Sequence, residues 1–399
     1  MSASAVVHNG VVQSAPVAAP KISLVQPVGA INSNPWGGSN PYIDFQLPNS
    51  LGKLIDCDCE LTMTFTTADS DGVDVVVPPT AFLVQKVDVL YAGRSVEPVE
   101  APEIFTEAML WRDSDSLAAN ASRWNITASG GLTPSFNVTP AHPATKVFYL
   151  PLGRANFLAN AQPYLKGFSG LWTYRIYFAQ SAVVSCFQSG TSTASTVTVS
   201  LPKIQLYATE AVLSAAADAH LMQAHHSATQ YRTIVRSKVT TGAIASMSSA
   251  NTAQVQLSGF SGNQSAALIT YVQPTNPTIP QMIQHAEIVQ FQMKDETGKE
   301  LTIPLPEAVF RKAEASQLPQ NAASQANPTN NVLMSFCSNL NSVLETGKWA
   351  AHRELTGRET VYLQPASTQS NVTPVFVSYD YATLSVSGGV PALIRKPSA

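Results

Sequence analysis

The sequence predicts an all-β fold, two consecutive eight-stranded jelly rolls joined by a short helix. Three observations carry this prediction. Most of the 399 residues are written in strand code, with apolar and polar positions alternating over short runs. One stretch, residues 209–226, differs: Leu213, Ala217, Leu221 and Ala224 recur at helical spacing, an apolar stripe that has to dock on something. That stretch lies just past the midpoint, and about eight strands can be counted on either side of it, the number that closes a jelly roll.

Composition narrows the function classes. A chain of this length divides into two or three domains, each large enough for its own core. Charged residues make up 12%, about half the share usual in soluble domains. A surface so poor in charge is hard to keep soluble alone and easy to bury against copies of itself, although a Ser/Thr-rich β-sandwich economises on charge in the same way. The net charge is −3, and Lys21 is the only Lys or Arg in the first 50 residues, which argues against a basic arm or a polyanion binder. Cys57, Cys59, Cys186 and Cys337 form no framework. Cys57 and Cys59 are two apart on a strand, where a mutual disulfide is geometrically disfavoured, and no zinc spacing occurs. All four read as small buried hydrophobes. No apolar run reaches membrane-spanning length, and the N-terminus lacks the basic and apolar regions of a secretory signal.

The elements follow in order. Residues 1–35, rich in Ala, Val, Ser and Pro, show no sustained period and read as an extended arm. Asn34-Pro35-Trp36-Gly37-Gly38 leads into the first jelly roll, residues 36–208. Tyr42 to Leu47 is a strand. In the next, Cys59, Leu61, Met63 and Phe65 alternate with Glu60, Thr62 and Thr64. Phe82 to Tyr91 follows, then a helical insert from Pro102 to Trp111. Lys146 to Leu150, Trp172 to Phe178 and an alternating run through Val197, Val199 and Leu201 to Tyr207 complete the half.

The linker helix spans 209–228 and the second jelly roll 229–399. Tyr231 to Val239, Ala253 to Leu257, Ala267 to Val272 and Val289 to Met293 read as strands. Asp295-Glu296-Thr297-Gly298 turns into Glu300 to Ile303. Residues 316–331 are a long Asn/Gln-rich loop. Val332 to Phe336, Glu359 to Leu363, Val375 to Tyr379 and Leu384 to Val386 finish the count.

No catalytic, cofactor or metal residue stands out from this pattern. Asp69, Asp71 and Asp74 surround Gly72 like a calcium loop but lack the later bidentate Glu, so a hairpin tip is expected. Glu97, Glu100, Glu103 and Glu107 could pair for glycoside chemistry, yet Pro98 and Pro102 fit an ordinary acidic loop entering a helix N-terminus. His220, His225 and His226 share no helix face suited to a metal, and read as ordinary helix-end histidines beside Asp218. Gly167-Phe-Ser-Gly170 and Gly259-Phe-Ser-Gly262 repeat a tetrapeptide that reads as a turn, not a nucleophile elbow. The sequons at Asn120, Asn125, Asn137, Asn263 and Asn371 are assigned no glycans.

Four co-linear patterns resemble one family. They are Phe82 to Arg94, ending in a Tyr-Ala-Gly turn; Phe148-Tyr-Leu-Pro-Leu152 with Gln162-Pro-Tyr-Leu165 and Leu171 to Ile176; Ile204 to Ala228 with His225-His226 leading to Tyr231; and Leu333 to Phe336, Gly347 and Ser378 to Ile394. Together they resemble the double jelly-roll major capsid proteins of tailless icosahedral viruses, the tectivirus–adenovirus lineage that includes large DNA viruses, virophages and polinton-like elements. Loops 112–142 and 316–331 match nothing in that pattern. The resemblance implies a non-catalytic virion protein forming pseudo-hexameric homotrimers that tile a shell, with the N-terminal arm and Trp36 facing the particle interior or clamping a neighbour. It further implies neighbouring capsomers, penton and minor capsid proteins as partners and an internal membrane as a candidate neighbour, with no sequence-specific nucleic-acid binding. A carbohydrate-binding or glycoside-hydrolysing β-sandwich using Glu97 and Glu103 is the competing reading. An extracellular adhesin is third, disfavoured by the missing signal and disulfides.

Overall fold

A computed structural model of the chain describes residues 5–8, 11–14, 17–36, 42–110, 120–127, 133–152, 157–179, 187–188, 197–248, 250, 252–277, 279–309, 330–337 and 352–395. The chain divides into two compact units. One comprises Met1–Ala108, Ser116–Tyr231 and Ser385–Ala392; the other comprises Met109–Asp115, Arg232–Leu384 and Leu393–Ala399.

In the first unit, β1 (Ala5–His8) and β2 (Val11–Ser14) form a hairpin. A long sheet runs β3 (Val17–Val25), β13 (Val197–Leu213), β5 (Lys53–Thr67), β10 (Ala144–Pro151). A shorter sheet runs β4 (Tyr42–Leu47), β11 (Trp172–Phe178), β7 (Val84–Tyr91), β8 (Arg94–Glu100). Pairings within both are antiparallel. Numbered one to eight in chain order, these strands lie 1-8-3-6 and 2-7-4-5, the arrangement of two interlocked Greek keys. A small extra sheet joins β12 (Phe187–Gln188), β6 (Val73–Val76) and β9 (Phe136–Val138). The alternation in β5 does what its pattern demands. Cys57, Cys59, Leu61, Met63 and Phe65 enter the core with Phe45, Val89, Tyr174 and Ile176 of the facing sheet, and the Tyr174 hydroxyl meets the Cys57 thiol. Cys337 is likewise buried and free; Cys186 lies outside the described residues.

Three expectations change here. Val17–Val25 is not a loose arm but the first strand of the jelly roll, paired to β13 from Val25↔Leu206 to Val17↔Leu213. Its lack of period reflects an edge position, where Ile22 and Leu24 on the outer side stay 67% and 47% exposed. Trp36, expected to face a particle interior or clamp a neighbour, is buried in its own unit; its indole N–H donates to the Leu83 carbonyl (2.9 Å) and its ring meets Phe178 edge-on. The linker helix is also shorter than its spacing suggests. β13 continues as strand through Leu213, Ser214 caps the helix by accepting from the Ala217 N–H (3.3 Å), and the helix itself runs Ala215–Ser227. Glu210 explains the extension. It is buried in β13 and its carboxylate accepts from the Gly52 N–H (2.6 Å) and the Ser23 hydroxyl (3.3 Å) and pairs with Lys21 (3.3 Å), clamping the first strand to the sheet.

Among the described residues, α-helices include α1 (Ala101–Leu110), α2 (Phe157–Ala161), the linker α3 (Ala215–Ser227) and α4 (Ile279–Ile283). Trp111, expected in α1, lies outside the described residues, as do most of loop 316–331 and part of 112–142.

The second unit repeats the order. Its long sheet runs β14 (Thr229–Thr240), β23 (Gln369–Ser387), β17 (Asn263–Pro274), β20 (Val332–Ser335), again 1-8-3-6. β15 (Ile244–Met247) and β24 (Val390–Ile394) pair with β23, and β21 (Arg353–Leu355) with β17. The shorter sheet, β16 (Ala253–Gln256), β22 (Thr360–Pro365), β18 (Ile288–Lys294), β19 (Glu300–Pro306), is again 2-7-4-5. Leu268, Val272, Phe291, Met293, Leu363 and Phe376 from both sheets make one core. Ile269, Tyr271, Val375, Val377 and Tyr379, on the other face of the long sheet, are buried as well. Edge strands β3, β8 and β19 carry Pro20, Pro98 and Pro304, which cannot donate to an added strand.

Candidate functional site

The linker helix is held in the first unit by a seat that its own sequence does not advertise. Leu221, Ala224 and His225 form its buried side, and His225 is fully buried. The rings of Tyr164, Phe168 and Tyr231 meet the imidazole edge-on at centroid distances of 5.6, 5.1 and 5.6 Å. The Tyr231 hydroxyl bonds His225 Nε2 and accepts from the Tyr164 N–H (3.2 Å). Burial pushes His225 down to about 4, so the ring is neutral. Lys166 pairs with Asp218 (3.0 Å) at the helix start; burial raises that carboxyl, and the Lys166 and Tyr164 bonds more than reverse it.

The tetrapeptide Gly167-Phe168-Ser169-Gly170 is the floor of this seat. A Cβ on Gly167 would stand 2.2 Å from His225 Nδ1, and one on Gly170 would stand 2.9 Å from the Tyr91 hydroxyl. Both glycines are there for close approach. The second copy, at Gly259–Gly262, precedes the third strand of its jelly roll whereas the first precedes the seventh, so the repeat is not a module signature. His225, expected to be an ordinary helix-end residue, is the helix's deepest side chain; His220 and His226 are exposed. The missed signal was a histidine at position i+4 from Leu221, continuing the apolar stripe.

The other candidates are dispersed. Asp69 and Asp71 shape a hairpin tip, with the Asp71 N–H on Asp69 (3.0 Å) and Gly72 at φ +79°, while Asp74 accepts from Asn137 (3.0 Å). The acidic run is not a solvated loop. Glu97, Glu103 and Glu107 are buried because β8 leads directly into α1, and Glu103 turns back to accept the Glu100 N–H (3.1 Å). Buried so, Glu97 and Glu103 present no open pair to a sugar. Asn125 is buried with its amide on the Val77 and Pro78 carbonyls, which closes that sequon; Asn263 donates to Asp380 (2.8 Å), whose carboxyl burial pushes up to about 6. Asn137 and Asn371 are exposed.

A second feature is the outer face of the first unit's long sheet. Glu60 accepts from Tyr149 (3.0 Å), Tyr207 (3.2 Å) and Lys203 (3.1 Å), and Arg123 stacks on Tyr149 at 3.9 Å. Burial raises the Glu60 carboxyl, but these three donors overcome it and hold it below the usual range. The result is a tyrosine- and arginine-bearing surface with its charge internally neutralised, flanked by exposed Ile22, Leu24 and Val147.

Comparison with known proteins follows the fold. No family model and no curated protein matches the sequence. Among solved structures, a chain of the PBCV-1 virus capsid superposes with a TM-score of 0.67 at 12% identity, covering 94% of this chain and 96% of that one. The Faustovirus major capsid protein gives 0.64 at 9% identity, covering 96% and 92%. The mavirus major capsid protein gives 0.51 at 11% identity, covering 94% and 90%. Over nearly its whole length, the chain carries the fold found in these viral capsid chains.

Proposed function

We propose that this chain is a non-catalytic major capsid protein that assembles as a homotrimer and tiles an icosahedral viral shell. The carrying observation is that two modules of identical strand order fill the chain, with full-length likeness to capsid chains. Fusing the modules makes the second half's docking intramolecular, and three copies closed by cyclic symmetry present six near-equivalent lateral faces. Proline-blunted edges suit contacts made through side chains rather than added strands. Penton and minor capsid proteins, and an internal membrane beneath the shell, are the further neighbours this reading assigns; the place of action is the virion shell. Sedimentation and negative-stain imaging of the purified protein test it. Pseudo-hexagonal trimers are expected, and monomer alone at every concentration and salt would overturn the proposal. The N-terminus sharpens the test. Because β3 is a structural strand, deleting residues 1–35 should unfold the first unit, whereas deleting 1–16 should spare the trimer and impair only the shell.

A further inference from the structure

The first unit begins near the N-terminus yet contains Ser385–Ala392, close to the end of the chain. This piece is the turn between β23 and β24, with Gly388 and Gly389 both at positive φ. Gly389 is buried and its backbone is fully used. Its carbonyl accepts from the Ser169 N–H (2.9 Å), the Ser169 hydroxyl (3.2 Å) and the Tyr91 hydroxyl (3.1 Å), and its N–H donates to the His225 carbonyl (3.3 Å). The Tyr91 hydroxyl in turn accepts from the Gly170 N–H (2.8 Å). A Cβ on Gly389 would meet the Gly167 carbonyl at 3.0 Å and the Ser169 nitrogen at 3.1 Å, whereas one on Gly388 would meet nothing. The floor of the linker seat, its helix and this turn are thus one hydrogen-bonded assembly.

We propose that the turn Ser385–Ala392 is a strap that locks the linker helix into its seat, so that the first unit closes only when the C-terminal residues of the chain have docked. The strap is independent of the capsid reading. Its consequence for any self-assembling chain is that a nascent or truncated product keeps an open seat, with the Phe168, Tyr91 and His225 groups unlocked. Hydrogen exchange on the full-length protein tests it with a matched pair. Gly388→Ala and Gly389→Ala both force alanine into a left-handed turn, but only the second collides with the seat. Gly389→Ala should raise amide exchange at 165–170 and 221–231 by about tenfold over Gly388→Ala. Exchange at 267–272 in the second unit's core should not change. Tyr91→Phe with Ser169→Ala removes two donors without straining the turn and should give the same pattern more weakly, which serves if Gly389→Ala does not fold. Equal exchange in the two glycine variants, or an unchanged seat in the donor-deleted protein, would overturn the strap.

Discussion

The long sheets of the two units share a strand order and differ in their outer faces. In the first unit that face carries Asp58, Glu60, Thr62 and Thr64 from β5, half-exposed apart from the bonded Glu60. In the second it carries Ile269, Tyr271, Val375, Val377 and Tyr379, all nearly inaccessible. The cause is local. β5 alternates strictly, Cys59-Glu-Leu-Thr-Met-Thr-Phe65, whereas β17 reads Ala266-Ala-Leu-Ile-Thr-Tyr-Val272 almost without a polar break. Strand order therefore sets which strands are neighbours, and the side-chain pattern sets how many faces are covered.

Substitution at matched positions on the third strands should break this comparison most forcefully. Ile269→Asp places an unpaired carboxylate on a covered face and should cost about 4 kcal/mol or more, while Thr62→Asp should stay within about 0.5 kcal/mol. Urea unfolding of the two variants checks it, and equal losses would mean the first face is covered too. Acid affects both units next. Burial pushes His225 down to about 4 and His285, stacked on Tyr271, down to about 3. Because the folded values lie below the ordinary 6.5, the unfolded chain takes the proton first. The stability these two histidines contribute is complete above pH 6.5, falls as pH drops toward 4 and 3, and is flat below. His225 alone accounts for about 3 kcal/mol of that fall, so replacing it with Gln should flatten the pH 4–6.5 limb of a thermal melt for the first unit only.

Gly167→Ala should cost about 2 kcal/mol by driving a Cβ into His225. Adding His225→Ala should recover part of that loss, a non-additivity that thermal unfolding of the double variant would show. The smallest effect belongs to the wet face. Tyr207→Phe removes one of three donors on Glu60 and should cost about 0.5 kcal/mol, with the Glu60 carboxyl titrating closer to its ordinary value by NMR.

Much of the fold could be read along the chain because strand alternation is a local property. The runs at Cys59–Phe65, Trp172–Phe178 and Val289–Met293 are strands as their patterns require. The seat could not be read in this way. His225, Gly167, Tyr91 and Gly389 are far apart in sequence, and each has an ordinary local explanation until the fold brings them together. Val17–Val25 gives no alternation for a related reason, since its exposed face carries apolar Ile22 and Leu24 where the period would call for polar residues.

By itself the sequence determined the class, the division into two β units about one helix and the alternating faces of the first, because those follow from spacing over a few residues. Only the tertiary structure decided that Glu210 belongs to a strand, that a histidine is the helix's anchor, and that the turn at Ser385–Ala392 belongs to the first unit. Those outcomes depend on burial and on partners the fold brings in: Gly52, 158 residues from Glu210, Gly389, 298 from Tyr91, and the rings of Tyr164 and Phe168 around His225.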